Sequence, residues 1–395
     1  MLILRPKNET FMLKKYFILL PAVQGSFGEE WEQCLREIDK CSGAGVRFLK
    51  MNIFCDLSRY TEYLDEKEKI SKEIVGLLGE KSPAINVTIH PPDKPWKVII
   101  EAVGILSDSN EVVTRFHAGR PYVVISSSSG KEVWGAGFGA GLFPENTRMA
   151  AEAAFEQVLE VLGKEGLTLN NIIRQWNYIG NILKVRDKFQ SYQIFNEVRS
   201  EYYHKYRTVQ GFPAATGVGM GLGGVILDFC AVEAGESVRI KPVSNPNQVN
   251  AYEYGQKVLK GMQDQGKKVK HPPQFERALM ISNSRFSTLY VSGTASIIGQ
   301  QTIGKNDVEK QTLVTIENIR KLADAERLSQ ITGNPEQPSE KYILLRVYIK
   351  RREDFSLVKE ICASHFPDVP AVYIEADICR DDLLTEIEAE LLLKP

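Results

Sequence analysis

The sequence predicts an α+β protein in which one unit of strands and helices occurs three times, each unit a mixed sheet with two helices on one face. Three observations predict it. First, the order apolar strand, polar break, aromatic residue, amphipathic helix, Pro-Ala, strand, turn and strand recurs along the chain. Second, the spacing is nearly constant: Pro83 to Glu101 and Pro370 to Glu388 are 18 residues each, and Pro213 to Cys230 is 17. Third, a further strand and a further helix precede each copy.

In the first copy "YFILLPAV" and "SFGEEWEQCLREIDKCSG" precede "RFLKMNIFCDLSRYTEYLDEKEKISKEI" and "SPAINVTIHPPDKPWKVIIEAVGI". The second has "PYVVISSSS" and "NTRMAAEAAFEQVLEVLGKEG" before "IIRQWNYIGNILKVRDKFQSYQIFNEVRSEYY" and "FPAATGVGMGLGGVILDFCAVEA". The third has "TLYVSGTASI" and "NDVEKQTLVTIENIRKLADA" before "ILLRVYIKRREDFSLVKEICASHF" and "VPAVYIEADICRDDLLTEIEAELL". Val308, Leu313, Ile316 and Ile319 recur at helical spacing, which predicts one helix face packed on a sheet. Alternation in "VIIEAV", "ILDFCAV" and "LTEIEAEL" predicts half-buried strands. The domains follow as 1–110, 111–235 and 277–395, with an ordered, Pro-containing connector at 236–276 whose Lys-rich middle reads as an exposed loop.

A chain of 395 residues, 43% hydrophobic and 25% charged, has the composition of a soluble globular protein. Forty-nine basic residues against 50 acidic ones give no bulk attraction for nucleic acid or an anionic membrane. Six cysteines without a CxxC pair fit a reduced compartment, and no His/Cys/Asp cluster has metal-ligand spacing, so neither disulfides nor zinc are expected. The apolar run Tyr16–Val23 is too short for a membrane span and reads as a first strand, which makes the cytoplasm the expected location.

"GMGLGG", Gly219 to Gly224, matches G-x-G-x-x-G letter for letter. A dinucleotide loop requires a helix to start inside the glycines. Here a strand follows instead, and the stretch takes the place held by "HPPDKP" and "CRDDLL" in the other copies. It reads as a hairpin.

The run "TLYVSGTASIIGQQTIGKNDVEKQTLVTIENI", with "VPAVYIEADICRDDLLTEIEAEL", resembles the RidA (YjgF-type, chorismate mutase-like) fold, to which an endoribonuclease label has been attached. RidA proteins are trimers with ligand sites between subunits. Three such units in one chain imply a monomer that is an internal pseudo-trimer. RidA imine deaminases place a carboxylate-clamping arginine directly after Pro-Ala. The positions here hold Asn86 or Ile85, Ala215 and Val372, which weighs against that activity. No basic, aromatic-interleaved face supports the endoribonuclease label.

A closer resemblance covers roughly 115–395: "PVSNPNQVNAYEY", "PPQFERA", "SGTASI" and "EIEA" are similar to the chorismatase family. Its members hydrolyse chorismate to pyruvate plus a dihydroxycyclohexadiene carboxylate or 3-hydroxybenzoate. The resemblance implies a small dicarboxylate substrate and no metal or organic cofactor. It assigns the acid to Glu386. Glu388 lies on the same strand face and reads as an ordinary strand residue, solvated or in a salt bridge. Arg277 is the expected carboxylate clamp, because a guanidinium donates two parallel hydrogen bonds. Arg199 is a weaker candidate whose structural alternative is a solvated helical pair. Arg346, in an apolar strand, faces either a cleft or a structural partner. Tyr254, with Tyr252 as alternate, is assigned a hydroxyl for a substrate oxygen. Cys379, read at the end of the preceding strand, and the small residues Gly293 and Ala295 are assigned to steering between products. Cys379 reads equally as a small buried apolar residue. The alternatives are an enamine/imine deaminase and a carboxylate-binding protein without turnover.

Overall fold

The computed structural model describes residues 13–106, 111–127, 130–186, 189–259, 269–283, 285–332 and 339–394. The Lys-rich middle of the connector (260–268) and the end of "PYVVISSSS" (128–129) lie outside the described residues.

The first sheet contains β1 (Lys15–Leu19), β2 (Val46–Cys55), β3 (Ala84–Thr88) and β4 (Val98–Leu106), with helices α1 (Phe27–Gly43) and α2 (Tyr60–Leu78). The second contains β5 (Val112–His117), β6 (Arg120–Ser127), β7 (Gly130–Phe138) and β8 (Ile172–Gly180), and, after the ribbon of β9 (Val185–Arg186) and β10 (Phe189–Gln190), β11 (Ala214–Met220) and β12 (Val225–Ala234). Its helices are α3 (Thr147–Lys164) and α4 (Ser191–Tyr206). The third contains β13 (Arg239–Val243), β14 (Ala278–Ser282) and β15 (Ser287–Ala295), followed by the ribbon of β16 (Ile297–Ile298) and β17 (Gln301–Thr302). It continues with α5 (Val308–Leu322), a short additional α6 (Ala325–Thr332), β18 (Ser339–Ile349), α7 (Phe355–His365), β19 (Ala371–Glu375) and β20 (Thr385–Lys394).

The central order is the same in each sheet: β1-β4-β2-β3, β7-β12-β8-β11 and β15-β20-β18-β19. The pairs β2/β3, β8/β11 and β18/β19 are parallel, and each is joined by one helix, as a parallel connection requires. β13, inside the stretch read as connector, pairs with β14, so the third sheet starts earlier than 277.

Period-two alternation decides what each strand does. On β20, Ile387, Ala389, Leu391 and Leu393 pack under α5 and α7, which sends Glu386, Glu388 and Glu390 to the opposite face. The helices of the first and second sheets likewise cover one face each. The three uncovered faces meet in a single central core that includes Phe54, Trp176 and Tyr348.

Charges are buried at that centre in inter-sheet pairs. Lys50 of β2 contacts Asp228 of β12 at 2.9 Å, Arg174 of β8 contacts Glu388 of β20, and Arg346 of β18 contacts Glu101 of β4. Arg346 also reaches Glu388 at 2.6 Å. The three cations lie 4.4, 4.7 and 5.1 Å from the centroid of the Trp176 ring. Arg346 is therefore a structural residue of the centre, because two carboxylates already satisfy it.

The glycine stretch joins β11 to β12, but those strands do not pair: β8 lies between them. The connection is not a hairpin. Its backbone is bonded to both other sheets, with Gly219 N–H donating to Asp377 O at 2.7 Å and Gly221 N–H to Ile89 O at 3.0 Å. A Cβ at Gly219 would come within 2.6 Å of Asp377 and Ile182, so glycine permits the close approach.

Replacing Arg346 by Met should cost about 3–5 kcal/mol, since Glu101 and Glu388 both lose a buried cation. Urea unfolding followed by circular dichroism measures it, and a loss below about 1 kcal/mol would contradict the central role.

Candidate active site

The edge of the second sheet faces the third across a pocket. β11 supplies Ala215 and Gly217, β15 supplies Gly293 and Ala295, and β20 supplies Glu386. Tyr192 and Asn196, four residues apart on α4, form one wall. The connector contributes Tyr254 and Phe275, with Arg277 at its end, and the loop after β19 contributes Cys379 and Arg380. Backbone bonds hold the two sheets in register here: Ala215 N–H donates to Ser292 Oγ at 2.9 Å and Gly293 N–H to Thr216 Oγ1 at 3.0 Å.

Glu386 is 4% exposed, and among the described residues no group hydrogen-bonds its carboxyl. Burial, reinforced by the negative charge of Glu388, pushes it up to about 8; Arg277 and Arg174 pull the other way without prevailing. Glu388, two residues on, is the opposite case. Burial alone would raise it, but Arg346, Arg174 and hydrogen bonds from Tyr348 and Trp176 hold it down at about 2. One strand face thus carries a protonated carboxyl in a cavity and an ionised one in a closed network. Gly293 makes the first possible, because a Cβ there would overlap Glu386 Oε1.

The cations are fixed by connector and loop. Arg277 Nη2 donates to Val249 O at 2.6 Å and to the Tyr254 hydroxyl at 2.7 Å. Arg380 Nη1 donates to Gln300 O at 2.9 Å. Both guanidiniums lie over the Tyr254 ring, at 5.5 and 5.2 Å from its centroid. Because the Tyr254 oxygen accepts from Arg277, its own proton is free for another acceptor.

Of the residues singled out from sequence, Glu386, Arg277, Tyr254, Cys379, Gly293 and Ala295 line this one cavity. Two do not. Arg346 belongs to the centre. Arg199 is buried behind the wall, where its Nη2 donates to Asn196 Oδ1 at 2.7 Å, so it supports the pocket without facing it and forms no solvated pair. Tyr252 donates to Glu276 at 3.4 Å and does not line the cavity. Cys379 lies in the loop four residues beyond β19, not at its end. Burial, then the charge of Glu386, pushes its thiol up to about 12, which removes it as a nucleophile.

Sequence reasoning missed Arg380, Tyr192 and Asn196. Arg380 sits beside two aspartates and reads as a turn charge. The spacing of Tyr192 and Asn196 put them on one helix face but did not say what that face looks into.

Residues 114–231 match the family model described as Chorismatase FkbO/Hyg5-like, N-terminal. A 3-hydroxybenzoate synthase from Streptomyces hygroscopicus is 32% identical over 266 residues, 65% of this chain and 73% of that protein. A chorismatase from Streptomyces rapamycinicus is 32% identical over 258 residues, 64% of this chain and 73% of that relative. The crystal structure of a chorismatase aligns with a TM-score of 0.62 at 20% identity, covering 96% of this chain and 98% of that one, a likeness of fold.

In carboxyl ¹³C NMR, Glu386 should titrate near pH 8, and Arg277→Met should move the midpoint upward by removing a nearby positive charge. The raised carboxyl also links to stability. An unfolded chain loses this proton near 4.5 and the folded one near 8, so the contribution is complete below 4.5 and is lost as pH rises to about 8. Unfolding free energy should therefore decline less steeply over that interval in Glu386→Gln than in the wild type.

Proposed function

The chain belongs to the chorismatase family, and from that premise we propose that it is an enzyme releasing pyruvate from chorismate, with Glu386 as the acid. One observation carries this assignment: Glu386 is a buried, unpaired carboxyl raised to about 8, in a cavity that also holds two anchored guanidiniums.

Chorismate offers an enol ether and two carboxylates. The proton of Glu386 goes to the methylene carbon, leaving an oxocarbenium-like centre and a glutamate anion. Water, or the neighbouring ring hydroxyl, attacks that centre. In the water route the attacking molecule returns a proton to Glu386. As the hemiketal collapses, its hydroxyl proton passes to the departing ring oxygen, the ether bond breaks and pyruvate is freed. Burial supports the first step by keeping the acid protonated near neutrality. Arg277 and Arg380 clamp the carboxylates, and Tyr254 donates its hydroxyl to a substrate oxygen.

Cys379, Gly293 and Ala295 line the pocket and would shape which nucleophile reaches the cation. A cysteine at 379 favours the 3-hydroxybenzoate branch. The imine deaminase alternative is the weaker one, because Ala215 stands where that chemistry needs a guanidinium.

The shared strand order supports reading the sheets as three RidA-like repeats in a pseudo-trimer, with boundaries near 110 and 235 and an ordered connector to 276. In this reading the protein acts as a monomer, since one chain supplies both sides of its cleft. None of the described helices is long and apolar enough to cross a membrane.

Purified protein given chorismate, with pyruvate followed through lactate dehydrogenase, tests the assignment. Glu386→Gln should lower the rate by about 10²–10⁴-fold, and the wild-type rate should fall above about pH 8 as the acid ionises. Arg277→Lys should raise KM roughly tenfold, through loss of a charged bidentate contact. No pyruvate above the spontaneous background would refute the function, and full activity in Glu386→Gln would refute the acid.

A further inference from the structure

A second cleft lies where α2 and β3 of the first sheet meet β6 and β7 of the second. Its walls are apolar where Leu64, Val75, Ile85 and Val87 face it. Its charged residues are unbalanced: Lys67, Lys72 and Arg120 stand against Glu68 alone, and Glu68 is taken by Lys72 at 2.6 Å on the exposed rim.

Lys67 and Arg120 are left with neutral partners. Lys67 Nζ donates to Ala140 O at 3.1 Å and Arg120 Nη1 to Gln157 Oε1 at 2.8 Å. Among the described residues neither forms an ion pair. The carboxylate Arg120 senses most is Asp228, whose oxygens are already occupied by Lys50, Asn86 and the Gly137 N–H. Burial, and then the charge of Arg120, lowers the Lys67 ammonium from its ordinary range, so the two cations disfavour each other. An anion between them would relieve both the desolvation and the repulsion. Gly141, at a φ of +82°, keeps the space beside Lys67 clear, since a Cβ there would lie 2.7 Å from Leu64 Cδ2 and 3.3 Å from Lys67 Nζ.

We propose that this cleft is a second ligand site, in which Lys67 and Arg120 bind a small carboxylate with an apolar body. The ligand is bound and not turned over. Asp228, the acid behind this cleft, has both oxygens occupied by Lys50, Asn86 and the Gly137 N–H, unlike Glu386 in the other. The assignment is independent of the reaction proposed for the Glu386 pocket.

Crystals of the full-length protein soaked in 4-bromobenzoate should show anomalous bromine density between α2 and β6, whether or not the Glu386 pocket also fills. Density confined to the Glu386 pocket, or none at all, overturns the proposal. In solution, calorimetric titration with benzoate should show a binding event that weakens about tenfold or more in Lys67→Met. Arg120→Met should weaken the same event, and thermal melts establish that each variant is folded. No benzoate binding to the wild type, or binding that folded Lys67→Met leaves unchanged, also overturns it. Pyruvate release from chorismate in Lys67→Met should match the wild type.

Discussion

Three cations, one from each sheet, surround the Trp176 indole, and each is paired with a carboxylate of another sheet. Burying a charge costs several kcal/mol, and that cost is offset only when the partner and its remaining hydrogen bonds are in place. Each sheet supplies one half of two inter-sheet pairs, so undocking it would leave buried charges without those partners. The contacts are short and directional, as where Trp176 Nε1–H and Arg346 Nη1 converge on Glu388 Oε2 at 2.9 and 2.6 Å. A sheet cannot slide by one residue without stranding a buried ion. The width of the clefts between sheets is set by this arrangement.

The chemistry of the main cleft depends on it too. Glu386 and Glu388 share a strand face, yet the central cations pair only with the second. Arg174 and Arg346 are spent on Glu388, and the negative charge they fix there helps hold the proton on Glu386. Gly293 leaves Glu386 the room its neighbour lacks. The acid is thus the one carboxyl of the pair that the structural network passes over.

Periodicity and repetition made the architecture legible. The Pro-Ala steps mark the starts of β3, β11 and β19, and alternation on β20 put Glu386 and Glu388 on one face before any coordinate was known. Long-range pairing was not legible. Nothing local says that Arg346 belongs to Glu101, 245 residues away, so a strand arginine reads equally as a ligand contact. Arg199 was misread because its environment is a helix wall and not water, and the glycine stretch because strands consecutive in sequence need not be neighbours in a sheet. Arg380 went unnoticed since a loop arginine takes its place in the pocket only once the connector brings Tyr254 beneath it.

The three junctions between sheets are built alike but end differently, and the residue after each Pro-Ala step tracks the difference. Ala215 opens onto the Glu386 cavity, and Ile85 lines the cleft of Lys67 and Arg120. Val372 is 1% exposed in the central core, and its junction is filled by backbone. There Asp93 N–H donates to Tyr373 O at 3.2 Å, Glu375 N–H donates to Pro91 O at 2.8 Å, and Pro92 bridges Ile374. A chain that carries three units need not keep three equivalent sites. With a central network that joins all three sheets, the junctions differ. One holds the raised Glu386 carboxyl, and one holds cations whose one lining acid, Glu68, is paired with Lys72. At the third the described residues meet backbone to backbone.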